Sequence, residues 1–593
     1  MRVRVATLIA DFLAAHGVRH VFSVTGGGAM YLNDALGHHA TLRVVYCHHE
    51  QACAMAAEGH ARMTGEVAAV CVTSGPGGTN AITGVLGAWT DSVPMFVLSG
   101  QVKRETLVRT YGLPLRQLGD QEYDIVKSVA PMTKYAHTVM EPCEVMYHLE
   151  RAWYLCTSGR QGPVWLDVPI DVQAAEVESE SLAHFVAKEG ATPTLREEQL
   201  DAIEARFLAA RRPVLLVGTG VRRAGAVREM LTLAERIGAP LLTAWNAQDQ
   251  VPDTHPLYCG RPSTVGTRGA NIILQEADLL LVLGCRLNIR QIGYNYRAFA
   301  KDAYKIVVDI DEAELRKPTV QVDLPIHADV REVICALLAR EWHVPRPEAF
   351  FAWAREVHAR YPAVPRAYEE QISPLDPYVF LRELTRFAGQ DARIVCANGS
   401  ACVMTFQAAV VAEGMRLFTN SGCASMGYGL PAAIGACVAS GARVLCIEGD
   451  GSIQMNLQEL QTAIQYGLEL VIVVLNNNGY HSIRQSQQNA FGGDLVGVCT
   501  ENGVSFPSME RIAAAYEIPY FRITDSAFLK QKLETVFAQR GVVMCEAVVD
   551  EMREFSPRVK ARVGADGSIT SPALDDMYPF LPAEELDALH FRG

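Results

Sequence analysis

Short apolar runs rich in Val, Ile and Leu recur through the chain, each followed by a helical pattern. They fall at residues 42–46, 67–72, 94–98, 214–217, 279–283, 306–308, 443–447 and 470–475. Their apolarity is continuous. A strand with one wet face alternates at every second residue, so continuous runs need cover on both sides. A parallel sheet between two helix layers meets that condition. The chain is therefore predicted to be α/β, built from doubly wound parallel-sheet domains.

Two polar stretches interrupt the pattern. Residues 173–199 carry Glu and Ser clusters, and residues 343–377 carry Pro345, Pro347, Pro362, Pro365 and Pro374. Both read as linkers. At roughly 150 residues per domain, 593 residues allow three or four units. The expected units are 1–175, 190–345 and 370–550. Residues 551–593, with Pro557, Pro572, Pro579 and Pro582, read as an extended arm.

Composition removes several functions. A net charge of −13 argues against a nucleic-acid partner, which needs a basic surface. No apolar run approaches about 18 residues, so no membrane span is expected. Val5 to Ala15 is interrupted by Asp11 and lacks a cleavage site, so it does not read as a signal peptide. None of the fifteen cysteines stands in C-x-x-C spacing. Cys71, Cys437 and Cys446 sit in apolar runs, as buried free thiols do, which fits a reducing cytoplasm.

Residues 443–486 carry the most chemistry. An apolar strand ends in Gly449-Asp450-Gly451, and a helical pattern with Leu457, Leu460 and Ile464 on one face stops at Gly467. A second strand then ends in Asn476-Asn477-Asn478-Gly479. This βαβ unit places Asp450 and Asn477 at the carboxyl ends of parallel strands, where α/β ligands bind. Glycines let the backbone approach an anionic diphosphate. A carboxylate and an amide oxygen suit magnesium bridging its oxygens. G-D-G alone is a common turn; strand, G-D-G, helix, strand and N-N together are far more specific.

The pattern resembles the thiamine-diphosphate signature, with Asp450 and Asn477 separated by 477 − 450 = 27 positions. The resemblance implies that Asp450, Asn477 and the carbonyl of Gly479 hold the metal. His48-His49-Glu50 at a strand end, then Ala57-Glu-Gly-His-Ala-Arg62 and Thr73-Ser-Gly-Pro-Gly-Gly-Thr-Asn80, resemble the pyrimidine-binding domain of the acetolactate synthase family. In that family the glutamate bonds the aminopyrimidine and assists removal of the thiazolium C2 proton. Carbon dioxide then leaves because the thiazolium accepts the electrons. Glu50 and Gln121 are thus the expected catalytic residues. Without the resemblance, Glu50 is an ordinary helix-dipole glutamate. His48 and His49 lack a third ligand at zinc spacing and read as structural or substrate-edge groups.

The resemblance reaches most of the chain. It makes 1–175 a pyrimidine-binding domain, 190–345 a middle Rossmann-like domain and 370–550 a diphosphate-binding domain. The cofactor-binding residues it implies are Gly27, Gly28, Thr73, Gly75 and Asn80, and then Gly399, Ser400, Met426, Gly449, Gly451, Ser452, Asn477, Gly479 and Tyr480. Gly218-Thr-Gly220, Gly284-Cys-Arg286 and Asp309-Ile-Asp311 fall where related enzymes carry FAD; some relatives keep this fold empty or bind other nucleotides. The sequence also departs from the family. Gly26 stands where proline is usual, and Cys402 and Val403 replace a Gln-His pair. On the acceptor side Arg290 is kept for a carboxylate. Asp120 falls where phenylalanine is usual, Ser486 replaces tryptophan, and Met140 replaces lysine.

The implied activity is decarboxylation of a small 2-oxo acid such as pyruvate, then carboligation to an acceptor, by a homodimer or homotetramer. The altered pocket admits a bulkier ketone, such as a nucleotide-linked keto-sugar. Simple decarboxylation and a silent scaffold are the other readings; Glu50, Asp450 and Asn477 together argue against silence.

Overall fold

The computed structural model describes residues 2–187, 195–563 and 568–592. Residues 188–194 of the first expected linker lie outside these. Among the described residues there are three parallel sheets, as the continuous apolar runs require. In spatial order, the first contains Arg43–Tyr46, His20–Ser23, Ala68–Val72, Met95–Gln101, Pro163–Pro169 and Tyr135–Thr138. The middle sheet contains Leu241–Thr243, Pro213–Val217, Leu279–Leu283, Tyr304–Asp309 and Leu324–His327. The third contains Arg416–Phe418, Arg393–Cys396, Val444–Gly449, Leu470–Asn476, Val542–Val548 and Tyr520–Ile523.

The first and third sheets share one strand order. In each, the first strand in sequence lies between the second and third, so the winding reverses there. α/β ligands bind in the crevice outside the carboxyl ends at such a reversal. The chain segments leaving that point are Gly26–Gly28 and Thr73–Gly75 in the first domain, and Gly399 and Asp450 in the third. The middle sheet reverses at the strands that end before Gly218 and Gly284.

Successive strand residues enter opposite cores, which is why the runs are continuously apolar. Ala69 and Cys71 belong to one core of the first domain; Ala68, Val70 and Val72 belong to the other. Val471, Val473 and Leu475 likewise separate from Leu470, Ile472 and Val474. Each fully buried Val or Leu contributes roughly 1.5–3 kcal/mol, and a polar residue on either face would forfeit it.

The first and third domains meet where helix Glu50–Thr64 crosses helix Gly429–Ser440. The crossing is too close for side chains at two points. A Cβ on Gly435 would collide with Ala56 O, and one on Gly59 with Ala432 O.

One reading of the sequence needs correction. Residues 343–377 are not a linker throughout, because helix Glu348–Arg360 lies within them. Phe350, Ala354 and Val357, spaced at i, i+4 and i+7, pack into the middle-domain core. Flanking prolines disguise that period. The described residues of the segment read as an extended arm pack against the middle domain. Leu574 and Leu589 are buried in the same middle-domain core, and Val559 N donates to Thr264 O at 2.7 Å.

Gly435→Ala should destabilise the junction of the first and third domains by roughly 1–3 kcal/mol or more, since backbone must move. Thermal unfolding followed by circular dichroism measures this. An unchanged midpoint would show that the crossing tolerates a side chain.

Candidate active site

Three strand ends of the third sheet build one cluster. Asp450 Oδ1 accepts from Gly451 N at 2.9 Å and Oδ2 from Gly479 N at 3.1 Å. Burial nevertheless pushes its carboxyl up to about 6, against those hydrogen bonds. Asn477 Nδ2 donates to Ser400 Oγ at 2.8 Å, while its Oδ1 is enclosed with no partner. Arg484 holds the turn by donating to the carbonyls of Asn477 at 3.0 Å and Asn478 at 2.6 Å. The Gly479 carbonyl accepts from His481 N at 3.0 Å and keeps one lone pair.

An enclosed oxygen without a donor costs about 1–3 kcal/mol. Beside a buried carboxylate, it has the make-up of a hard-cation site. Among the described residues no cluster of three or more His, Cys, Asp or Glu is placed to hold a metal. A cation here therefore needs the Asp450 carboxylate, the Asn477 amide oxygen, the Gly479 carbonyl and oxygens of an anionic ligand. The residues fit a diphosphate carried with a divalent ion. Around Gly449 a Cβ would meet nothing within 4 Å, which leaves the backbone approachable. Ser452 Oγ accepts from Gly427 N at 3.0 Å, placing half-buried Met426 beside the cluster. Tyr480 packs edge-on to Phe506 at 5.5 Å. Cys402 and Val403 are buried in the domain core, so the departure from the family's Gln-His pair removes polar groups without presenting new ones.

The first sheet builds a second cluster. Glu50 opens helix Glu50–Thr64, and its Oε2 accepts from Asn80 Nδ2 at 2.9 Å. His49 Nδ1 accepts from Gln51 N at 3.1 Å, so His49 is a helix cap. His48 N donates to Glu459 Oε1 at 3.1 Å. Gly28 N donates to Thr73 Oγ1 at 3.1 Å, and Gly27 lies in the same tight turn. Gly75 has φ +58°, and a Cβ there would run into Gln121 O. Gln121 itself has φ +60°, a conformation costly for a residue with a side chain. The carboxylate of Glu122 accepts from Val108 N, Leu118 N and Gly119 N and gathers the loop that presents Gln121.

The acceptor-side positions are more scattered. Asp120 is exposed on that loop. Ser486 is exposed on helix His481–Phe491, with Oγ donating to Ser482 O at 2.9 Å. Arg290 is exposed over the Trp245 ring. The Met140 carbonyl accepts from Arg104 Nη1 at 2.8 Å. Among the described residues, no hydrogen bond, ion pair or ring contact joins the Glu50 cluster to the Asp450 cluster within one chain.

Two further features frame the site, and the sequence reading singled out residues of only the second. The first is a buried network across the domains. Arg62 pairs with Glu58 at 2.6 Å and Asp91 at 2.7 Å, and Tyr428 OH donates to Glu58 at 2.5 Å. Arg416 donates to Arg62 O at 2.7 Å and pairs with Asp249 of the middle domain. Glu58 and Arg62 stand at i, i+4, which reads equally well as an ordinary helical ion pair. The second is a cavity of about 780 Å³ where the three domains meet, whose walls include Gly218, Gly220, Gly284 and Asp309. Arg223 also lines it, with Nε and Nη2 enclosed and unpartnered.

Residues 3–126, 200–337 and 397–547 match the families described as thiamine pyrophosphate enzyme N-terminal TPP binding domain, central domain and C-terminal TPP binding domain. The chain therefore belongs to the thiamine-diphosphate-dependent enzymes. Within them its similarity is to acetolactate synthase large subunits. It is 33% identical to the acetolactate synthase isozyme 1 large subunit of Escherichia coli (strain K12), over 93% of this chain and 95% of that protein. It is 30% identical to the large subunit of Lactococcus lactis subsp. lactis, covering 95% of each chain. The probable large subunit of Methanocaldococcus jannaschii is 33% identical over 92% of each. No helix among the described residues is long and apolar enough to cross a membrane.

Asp450→Ala should abolish magnesium-dependent retention of thiamine diphosphate, because too few oxygens would remain for the ion. Calorimetric titration of the cofactor with magnesium measures the loss. Unchanged affinity would reduce the G-D-G to a turn.

Proposed function

We propose that the chain decarboxylates a small 2-oxo acid, with pyruvate the expected donor, and joins the acyl unit to an acceptor, in the manner of acetolactate synthase. The observation that carries this reading is the enclosed, unpartnered Asn477 Oδ1 beside Asp450. With the Gly479 carbonyl, these two residues would hold magnesium and, through it, the diphosphate. Gly399, Ser400, Gly449, Gly451, Ser452 and Tyr480 line the same seat, and Met426 supports the ligand's middle. When bound, thiamine diphosphate supplies the thiazolium that takes up the electron pair as carbon dioxide leaves.

Glu50 acts at the other end. Asn80 occupies its Oε2 and leaves Oε1 free to share a proton with a ring nitrogen. Gly77 adds no side chain to crowd that oxygen. Thr73, Gly75, Gly27 and Gly28 shape the ring's seat, and Gln121 reaches it from the loop.

A single ligand must touch both clusters, and among the described residues no hydrogen bond, ion pair or ring contact joins Glu50 to Asp450 within one chain. The proposed working unit is therefore a homodimer, or a homotetramer built from two such dimers, in which Glu50 of one copy faces Asp450 of the other. The three-domain cavity is proposed as a seat for FAD. Its size falls within the roughly 300–1,000 Å³ of ligand pockets, and the unpaired Arg223 favours an anionic occupant. All fifteen cysteines are free thiols, which supports a cytoplasmic setting.

The second reading concerns the acceptor. Asp120 and Ser486 are both exposed and polar where the resembled family has aromatics, which favours a hydroxylated, bulkier ketone such as a nucleotide-linked keto-sugar.

Glu50→Gln should keep fold and cofactor affinity and lose on the order of 10²-fold or more in carbon dioxide release. Mixing it with Asp450→Ala subunits should restore part of that activity through dimers holding one intact site. Full activity of Glu50→Gln would remove the residue from its role. Absence of rescue in verified mixed dimers would place each site within one chain.

Products should be followed by mass with pyruvate alone and then with keto-sugar nucleotides. The polar-pocket reading expects a new adduct with the sugar. Fast acetolactate formation with no adduct would return the chain to ordinary acetolactate synthesis.

A further inference from the structure

Arg290 is exposed, and among the described residues no ion pair joins it to a carboxylate. Arg261, in the loop whose Thr264 bonds the Arg290 backbone, is by contrast engaged with Asp253. The contact that locates the Arg290 guanidinium is the indole of Trp245, 5.6 Å below it.

Trp245 is itself firmly placed. It is 8% exposed and stacks on Phe406 with ring centroids 5.2 Å apart and planes 20° from parallel. Phe406 belongs to helix Ser400–Ala408, the helix that Gly399 and Ser400 open in the diphosphate cluster. That helix is fastened to the middle domain by buried Arg261, which donates to Phe406 O at 2.9 Å and to Ala409 O at 2.9 Å. The Arg290 side is fastened too. Gln291 Oε1 accepts from Trp245 N at 3.3 Å, and the Arg290 carbonyl accepts from Thr264 N at 2.9 Å. One chain of contacts thus runs from the diphosphate helix through Phe406 and Trp245 to Arg290. The thiol of Cys402, pushed up to about 11 by burial, is drawn partly back by the Arg290 charge, in keeping with that proximity.

A free guanidinium on a flexible stem loses rotamer entropy when it grips a ligand. An aromatic face beneath it removes part of that loss in advance and leaves the N–H edge open for a planar oxyanion. We propose that Trp245 is a positioning residue: it holds Arg290 ready to receive the carboxylate of the 2-oxo acid or of the acceptor. The proposal rests on the reading of Arg290 as a substrate group. Trp245 touches neither substrate nor reacting atoms; it acts through Arg290.

Three variants test this in the loaded enzyme: Trp245→Leu, Trp245→Phe and Arg290→Gln. Trp245→Leu should raise KM for a carboxylate-bearing substrate about 3- to 30-fold, the range a cation–π contact commands, with kcat within about twofold. Trp245→Phe, which keeps a ring, should recover most of the loss. Thiamine diphosphate affinity by calorimetry should stay within about twofold, which separates positioning from damage to the diphosphate helix. Varying pyruvate and acceptor separately, and comparing an acceptor that lacks a carboxylate, assigns the effect to donor or acceptor. If Arg290→Gln leaves every KM unchanged, the substrate reading of Arg290 fails and the proposal falls with it. If Arg290→Gln raises KM but Trp245→Leu does not, or lowers only kcat and cofactor affinity, Trp245 is structural and the proposal alone is overturned.

Discussion

The crossing of helices Glu50–Thr64 and Gly429–Ser440 sets the rest of the structure. Gly59 and Gly435 bring two backbones into contact; beside that contact Glu58 and Tyr428 are buried, and Arg62 and Asp91 pair at the wall of the three-domain cavity. Buried charges of this kind do not come free. Their desolvation is offset only while every partner stays in place, and removing one leaves its neighbour stranded at roughly 3–5 kcal/mol. The network therefore acts less as a source of stability than as a device that admits one relative placement of the two domains. Glu50 begins one of the crossing helices, so its orientation is inherited from that placement.

The first and third domains repeat one strand order, yet their strand ends carry opposite chemistry. Asp450 and Asn477 gather hard oxygens, while Glu50 presents a carboxylate that accepts from Asn80. Duplicated topology thus carries two different sets of polar groups at corresponding points of the fold. The fold supplies position, and a few side chains at the reversal of winding supply function.

Much of this was legible in the sequence, for physical reasons. Continuous apolar strands declare burial on both faces, and Gly-Asp-Gly and Asn-Asn fall at the ends of two neighbouring parallel strands, as the βαβ pattern predicts. The helix at Glu348–Arg360 was hidden because prolines flank a sound helical period. The buried network was hidden because Glu58 and Arg62 look the same on a solvated helix as in a domain junction. Trp245 carried no signal at all. Its meaning comes from Phe406 and Arg290, which are 161 and 45 positions away and meet it only after folding.

The last segment of the chain carries a consequence for biosynthesis. Phe591 packs edge-on to Phe350 and to Trp353 at 5.3 and 5.7 Å, closing the middle-domain core from outside that domain's own sequence. Domains tend to fold in order as they leave the ribosome. Here the middle one stays open along that flank until residue 591 has been made. A nascent chain would thus hold the strands of its middle domain well before it holds the segment that covers this flank.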